Sequence, residues 1–149
     1  MTNSVWRAVL FLLPALAPAD PAPLQTYLSA TPLLLEVRYC ECAVISPDSP
    51  GPLPTFMASA SELNVAVKRE DKGFVSSRQL VLGYAIKPEP DMPDTFRFRF
   101  AGDYTTRHGH STAQSTLILE KGQWISLFGS QHGDTETGVA VRLIDTGGN

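Results

Sequence analysis

Phe96-Arg97-Phe98-Arg99-Phe100 is the most regular stretch of the chain, with rings at every second position and guanidinium groups between them. Side chains alternate across an extended backbone, so the three rings share one face and the two cations the other. Such a strand buries one face and wets the other, which is the habit of antiparallel sheets. The rings read as core, because an exposed row of aromatics on a strand is an aggregation hazard. Arg97 and Arg99 are left on the solvent side as candidates for a partner-binding surface.

The same period of two recurs on both sides of this stretch. Leu33, Leu35, Val37 and Tyr39 alternate with Leu34, Glu36, Arg38 and Cys40, which predicts a long strand from Leu33 to about Ile45. Leu63, Val65 and Val67 form a second row, followed by a charged turn, Glu70-Asp71-Lys72-Gly73, and a resumption at Phe74 and Val75. Leu80, Leu82, Tyr84 and Ile86 form a third row. Beyond Phe100 a polar bend is read near Gly102 to His110. Ser115 to Leu119 and Gln123 to Phe128 follow as a hairpin joined at Glu120-Lys121-Gly122, and a last strand runs from Val139 to Ile144.

Prolines punctuate this pattern. Ser46 to Pro54 holds four of them, and Lys87 to Pro93 three, so both read as loops, since proline lacks an N–H and fixes φ. No segment has a helical period. Together these signals predict an all-β fold, an antiparallel sandwich or small barrel of about six or seven strands, spanning 32–146 as a single domain.

The start of the chain has a different composition. One cation at Arg7, an apolar run from Ala8 to Ala17, and Ala17-Pro18-Ala19 ahead of Asp20 describe a secretory signal peptide over 1–19. Its apolar run of about ten residues is far short of the roughly 20 that a membrane-spanning helix needs. Residues 20–31 read as a flexible lead-in rich in proline and alanine. The expected location is periplasmic or secreted, with no retained membrane span. The 149-residue chain carries a net charge of −3, and its cations are scattered, which argues against a nucleic-acid partner.

Few residues offer chemistry. Cys40 and Cys42 are the only cysteines, and in a strand both sulfurs point to one face. An extended backbone sets their α-carbons roughly 7 Å apart, at the outer limit for a disulfide, so a bond between them requires a local kink. Oxidising surroundings favour that bond; the other role for the pair is thiol exchange. Arg107-His108-Gly109-His110 brings two imidazoles close in sequence, and His132 sits in another glycine-rich bend. Cys40, Cys42, His108 and His110 together form the alternative reading of the chain, a copper or zinc site in a metal-binding or thiol-active protein. Their spacing matches no compact zinc motif. Ser130, His132 and Asp134 lie within one loop without a nucleophile elbow, and Glu89, Asp91 and Asp94 are turn carboxylates. An enzyme is not indicated.

Two segments resemble a known family. Pro32-Leu33-Leu34-Leu35-Glu36-Val37-Arg38-Tyr39-Cys40-Glu41 resembles the opening strand of the secretin β-domain. The run from Ala113 to Gly129 is similar to that domain's closing hairpin, in which a threonine-rich strand reaches an acidic-glycine turn. The cysteine spacing on a strand is also similar to that of small periplasmic immunoglobulin-like proteins of curli assembly. The resemblance implies a bacterial envelope protein, an accessory of a secretion or pilus/fibre assembly system and not a pore. The expected function is therefore a non-enzymatic, protein-binding β-domain, with an envelope protein partner recruited through strand addition.

Overall fold

The computed structural model describes residues 31–43 and 59–146. The signal peptide at 1–19, nearly all of the lead-in and the proline loop at 46–54 lie outside the described residues. Eight strands form two four-stranded antiparallel sheets packed as a sandwich. They are β1 (Leu33–Ala43), β2 (Ser61–Val67), β3 (Asp71–Ser76), β4 (Leu80–Glu89), β5 (Met92–Thr106), β6 (Gly109–Glu120), β7 (Ile125–His132) and β8 (Thr135–Asp145). One sheet, A, has the order β2-β1-β8-β7; the other, B, is the meander β3-β4-β5-β6.

The aromatic row lies at the centre of this arrangement. Phe96, Phe98 and Phe100 are buried on β5, an inner strand of sheet B, while Arg97 and Arg99 are exposed on its other face. Leu33, Leu35 and Val37 on β1 and Val139, Val141 and Leu143 on β8 meet them from sheet A. Burying one such apolar side chain contributes roughly 1.5–3 kcal/mol, so these rows dominate the stability of the fold.

Strand boundaries depart from the sequence reading in four places. The polar segment Gly102 to His110 is no bend: β5 runs through it to Thr106, and only Arg107 and His108 form the hairpin tip before β6. Gly102 and Tyr104 continue the buried row, but a glycine within a polar run conceals the alternation. Asp71 to Gly73 belong to β3 and not to a turn, because the Asp71 carboxylate accepts the Lys68 and Lys72 N–H groups and closes the crossing one step earlier. Lys87 to Pro93 narrows to the two-residue tip Pro90-Asp91, where Asp91 has φ 63°. Proline first and positive φ second is the pattern of a type II turn.

The fourth departure changes the topology. Glu120-Lys121-Gly122 does not join a hairpin; β6 lies in sheet B and β7 in sheet A, so 121–124 carries the chain from one sheet to the other. Gly122, at φ 88°, donates its N–H to Leu143 O on β8, and Lys121 donates its N–H to Asp94 O. Lys121 Nζ then bridges Asp94 at 2.6 Å and Asp145 at 3.0 Å, tying the start of β5 to the end of β8. Those two acceptors hold the Lys121 ammonium above its usual pKa, Asp94 more than Asp145. A polar, glycine-containing turn serves a corner as well as a hairpin, so the local sequence does not separate the two.

Candidate functional site

The sandwich presents three places where the residues singled out from sequence come to rest. At one end, Cys40 and Cys42 are joined to each other, with their α-carbons 5.4 Å apart. That separation is well inside the disulfide range and shorter than an extended strand gives, as the kink requires. Cys42 Sγ also lies 3.8 Å from Ser59 Oγ.

Between the two cysteines, Glu41 points to the other side of β1 and meets the β5–β6 tip. Its carboxylate accepts the Arg107 N–H at 3.1 Å and stands 3.3 Å from His108 Nε2. The His108 ring stacks on His132, at the end of β7, with centroids 4.9 Å apart. Strand β1, the β5–β6 tip and the β7–β8 hairpin are thereby held together at this end. Behind Glu41, Tyr104 is almost fully buried and edge-on to Tyr39. Burial, with smaller contributions from Glu41 and Tyr39, pushes the Tyr104 hydroxyl up to about 12.

His110 turns elsewhere. Its Nε2 lies 3.2 Å from Asp103 on the outer face of sheet B. Thus Cys40, Cys42, His108 and His110 do not form one group: the sulfurs are bonded to each other, one imidazole faces Glu41 and the other Asp103. Among the described residues no cluster of three or more histidine, cysteine or carboxylate side chains could hold a metal ion. The physical reason is the strand's own alternation, which sends Glu41 toward the histidines and the sulfurs to the opposite side.

The outer face of sheet A carries a charged network that the sequence reading missed. Glu36, nearly buried, accepts Arg142 Nε at 2.6 Å, and Arg38 pairs with Glu62 at 3.0 Å. Trp124, from the crossing between sheets, covers both cations, with Arg142 4.7 Å and Arg38 5.1 Å from the ring centroid. The Asn64 amide donates to Glu62 at 2.6 Å and, with Arg38, holds that carboxyl below its usual pKa. Glu36, Arg38 and Glu62 alternate with apolar residues, which marks them as outward-facing; their partners come from β8 and β2 and are not local.

Arg97 and Arg99 lie on the outer face of sheet B, and their situations differ. Arg97 Nε is 2.8 Å from Glu89 Oε1, whereas Arg99 makes no ion pair among the described residues. Beside them runs β6, the outermost strand of the sheet. It keeps register with β5 from Thr95↔Glu120 to Thr106↔Gly109 without interruption. From Ser111 to Leu119 it carries neither charge nor proline. The other edge strands are blunted: β7 has a register shift between Ser126 and Phe128, β3 has six residues including Gly73, and β2 has seven with Glu62 on its outer face. No helix among the described residues is long and apolar enough to cross a membrane. No family model, no curated protein and no solved structure matches the chain.

Proposed function

We propose that this chain is a non-enzymatic protein-binding domain that captures an extended segment of its partner along the outer edge of β6. The observation that carries the reading is the unblunted edge from Ser111 to Leu119. A sheet edge exposes a row of backbone donors and acceptors, and natural proteins interrupt such rows with bulges, charges, proline or short length. Strand β6 has none of these between its ends, at 12 residues in all. A partner strand laid there completes the backbone pairing, and alternate side chains choose the partner. Arg97 and Arg99, one strand inward, border the side chains that such a segment turns to the outer face. Export to the periplasm or beyond rests on the leader at 1–19, and an accessory role in a secretion or pilus/fibre assembly system on the secretin resemblance.

Adjacent proline substitutions test the edge. Neighbouring residues in a strand point their N–H groups in opposite directions, so Ser115→Pro and Thr116→Pro remove one N–H that pairs with β5 and one that faces outward. The outward variant is expected to keep the melting temperature within a few degrees of wild type. It is also expected to lose the adduct that a photo-crosslinker at Gln114 forms with an envelope protein in cells. An adduct that persists in the folded variant refutes the strand-addition reading.

A further inference from the structure

The outer face of sheet B holds three cations, Lys72, Lys87 and Arg99, that make no ion pair among the described residues. The register places Lys72, Ala85, Arg99 and Thr116 in one row across the four strands. Lys72 and Arg99 therefore stand on either side of a methyl group, roughly 10 Å apart as two strand spacings require. Both are exposed, and neither makes an ion pair among the described residues. Lys87 and Arg97 face each other in the next outward row, with Glu89 answering Arg97 alone. A chain of net charge −3 thus places Lys72, Lys87 and Arg99 on one face without ion-pair partners among the described residues, with Asp103 and Glu120 at the margins of that face.

Between these cations the surface is hollow. A trough of about 530 Å³ runs across the strands, lined by Lys72, Gly83, Ala85, Arg99, Ala101 and Gln114. Past Ala101 and Gln114 lies a second hollow of about 440 Å³, which the Asp103 carboxylate lines, so the cationic part of the surface ends there. Packing accounts for Gly73, Gly102 and Gly129 but not for Gly83. A Cβ on Gly73 would meet the Tyr84 hydroxyl at 2.7 Å, one on Gly102 the Phe128 ring at 2.6 Å, and one on Gly129 the Thr137 carbonyl. On Gly83 the nearest atom would be 3.7 Å away, an ordinary contact, and its φ is not positive. Glycine in an inner strand sacrifices backbone entropy and often marks where another molecule approaches closely.

We propose that this trough binds an acidic polysaccharide laid across the strands. Its carboxylates sit between Lys72 and Arg99, and its hydroxyls meet the side chains of Gln114 and Thr116. Phe74, 71% exposed at the β3 end of the neighbouring row Gly83, Ala101 and Gln114, offers a ring face to sugar C–H groups. The direction of the trough selects this ligand over an acidic peptide. A sheet face presents side chains and not backbone donors, so a peptide crossing the strands gains no backbone pairing from it, whereas the hydroxyls of a sugar pair with side chains. The site shares Arg99 and the side chains of Gln114 and Thr116 with the surroundings of the β6 edge but uses none of that edge's backbone groups, so either reading can fail while the other holds.

Calorimetric titration of the folded protein with galacturonate hexamer, maltohexaose and hexaglutamate tests the proposal. The uronate hexamer is expected to bind and the neutral hexamer to give no heat. Lys72→Ala and Arg99→Ala should each weaken binding by about fivefold, the measure of one exposed ion pair. Gly83→Val should abolish binding while the melting temperature holds or rises, because the side chain has room and fills the floor. Absence of uronate binding overturns the site, as does undiminished binding by Gly83→Val. Equal or tighter binding of hexaglutamate overturns the polysaccharide assignment.

Discussion

Phe128 of β7 and Gly102 of β5 fit together across the two sheets: a methyl group on Gly102 would come within 2.6 Å of the Phe128 ring. The same ring stacks on Phe100, with centroids 6.3 Å apart. The missing side chain on one strand thus receives the bulky one from the opposite sheet. Gly102→Ala is expected to destabilise the domain by about 1–3 kcal/mol, the usual penalty of overpacking. Pairing it with Phe128→Leu should return part of that loss. Urea denaturation of the two single variants and the double variant measures the coupling, and strict additivity would show that the two positions do not interact.

The buried hydroxyl of Tyr104 predicts an alkaline limit. Its pKa is raised from 10.0 to about 12, so the folded state holds the proton more tightly than the unfolded chain does. The associated stability is fully present below pH 10 and is lost as pH rises toward 12. Ultraviolet absorbance should show a tyrosinate step near pH 12 that Tyr104→Phe removes.

Glu62 works in the opposite direction. Its carboxyl is lowered from 4.5, chiefly by the Asn64 amide and then by Arg38. A depressed acid contributes stability above the unfolded value and loses it as pH falls through the folded one. Asn64→Ala is expected to move the Glu62 midpoint up toward 4.5, as followed by NMR titration of its side-chain carboxyl. An unmoved midpoint would remove the amide as the principal cause.

The Cys40–Cys42 bond spans a sequence separation of only 2. Loop-closure entropy for so short a ring is about 1.5 kcal/mol, much less than a long-range disulfide gives. The double variant Cys40→Ser/Cys42→Ser should therefore fold, with a modestly lower urea midpoint. Complete unfolding of that variant would make the pair central to folding.

How far the sequence was legible follows from which residues had local partners. The Phe96, Phe98 and Phe100 row and the Leu33 to Tyr39 row announce their buried faces, because alternation is a property of one strand alone. The all-β sandwich follows from several such rows. Gly102 hides in the same pattern because its neighbour in space is Phe128, a residue of the other sheet. The corner at 121–124 reads locally as a hairpin since both use Glu120-Lys121-Gly122 equally well; bonds to residues distant in sequence, such as Gly122 N–H to Leu143 O and Lys121 N–H to Asp94 O, distinguish them. Among the site residues, the exposed faces of Arg97 and Arg99 are readable, whereas the Glu89 partner of Arg97, and the lack of an ion pair for Arg99 among the described residues, are not. The alternative metal reading alone groups His108 with the sulfurs; His108 meets Glu41 instead, a difference of one residue along β1.

The pairing of β1 with β8 also decides how the domain bears load. Leu33 lies opposite Asp145, and Thr146 donates its N–H to Pro32 O, so the chain enters and leaves the sandwich at one corner. A pull applied between those two points meets the rungs of the β1–β8 ladder one after another, peeling them and never shearing them together. Tethered by both ends, the domain is therefore expected to yield at low force, one rung at a time.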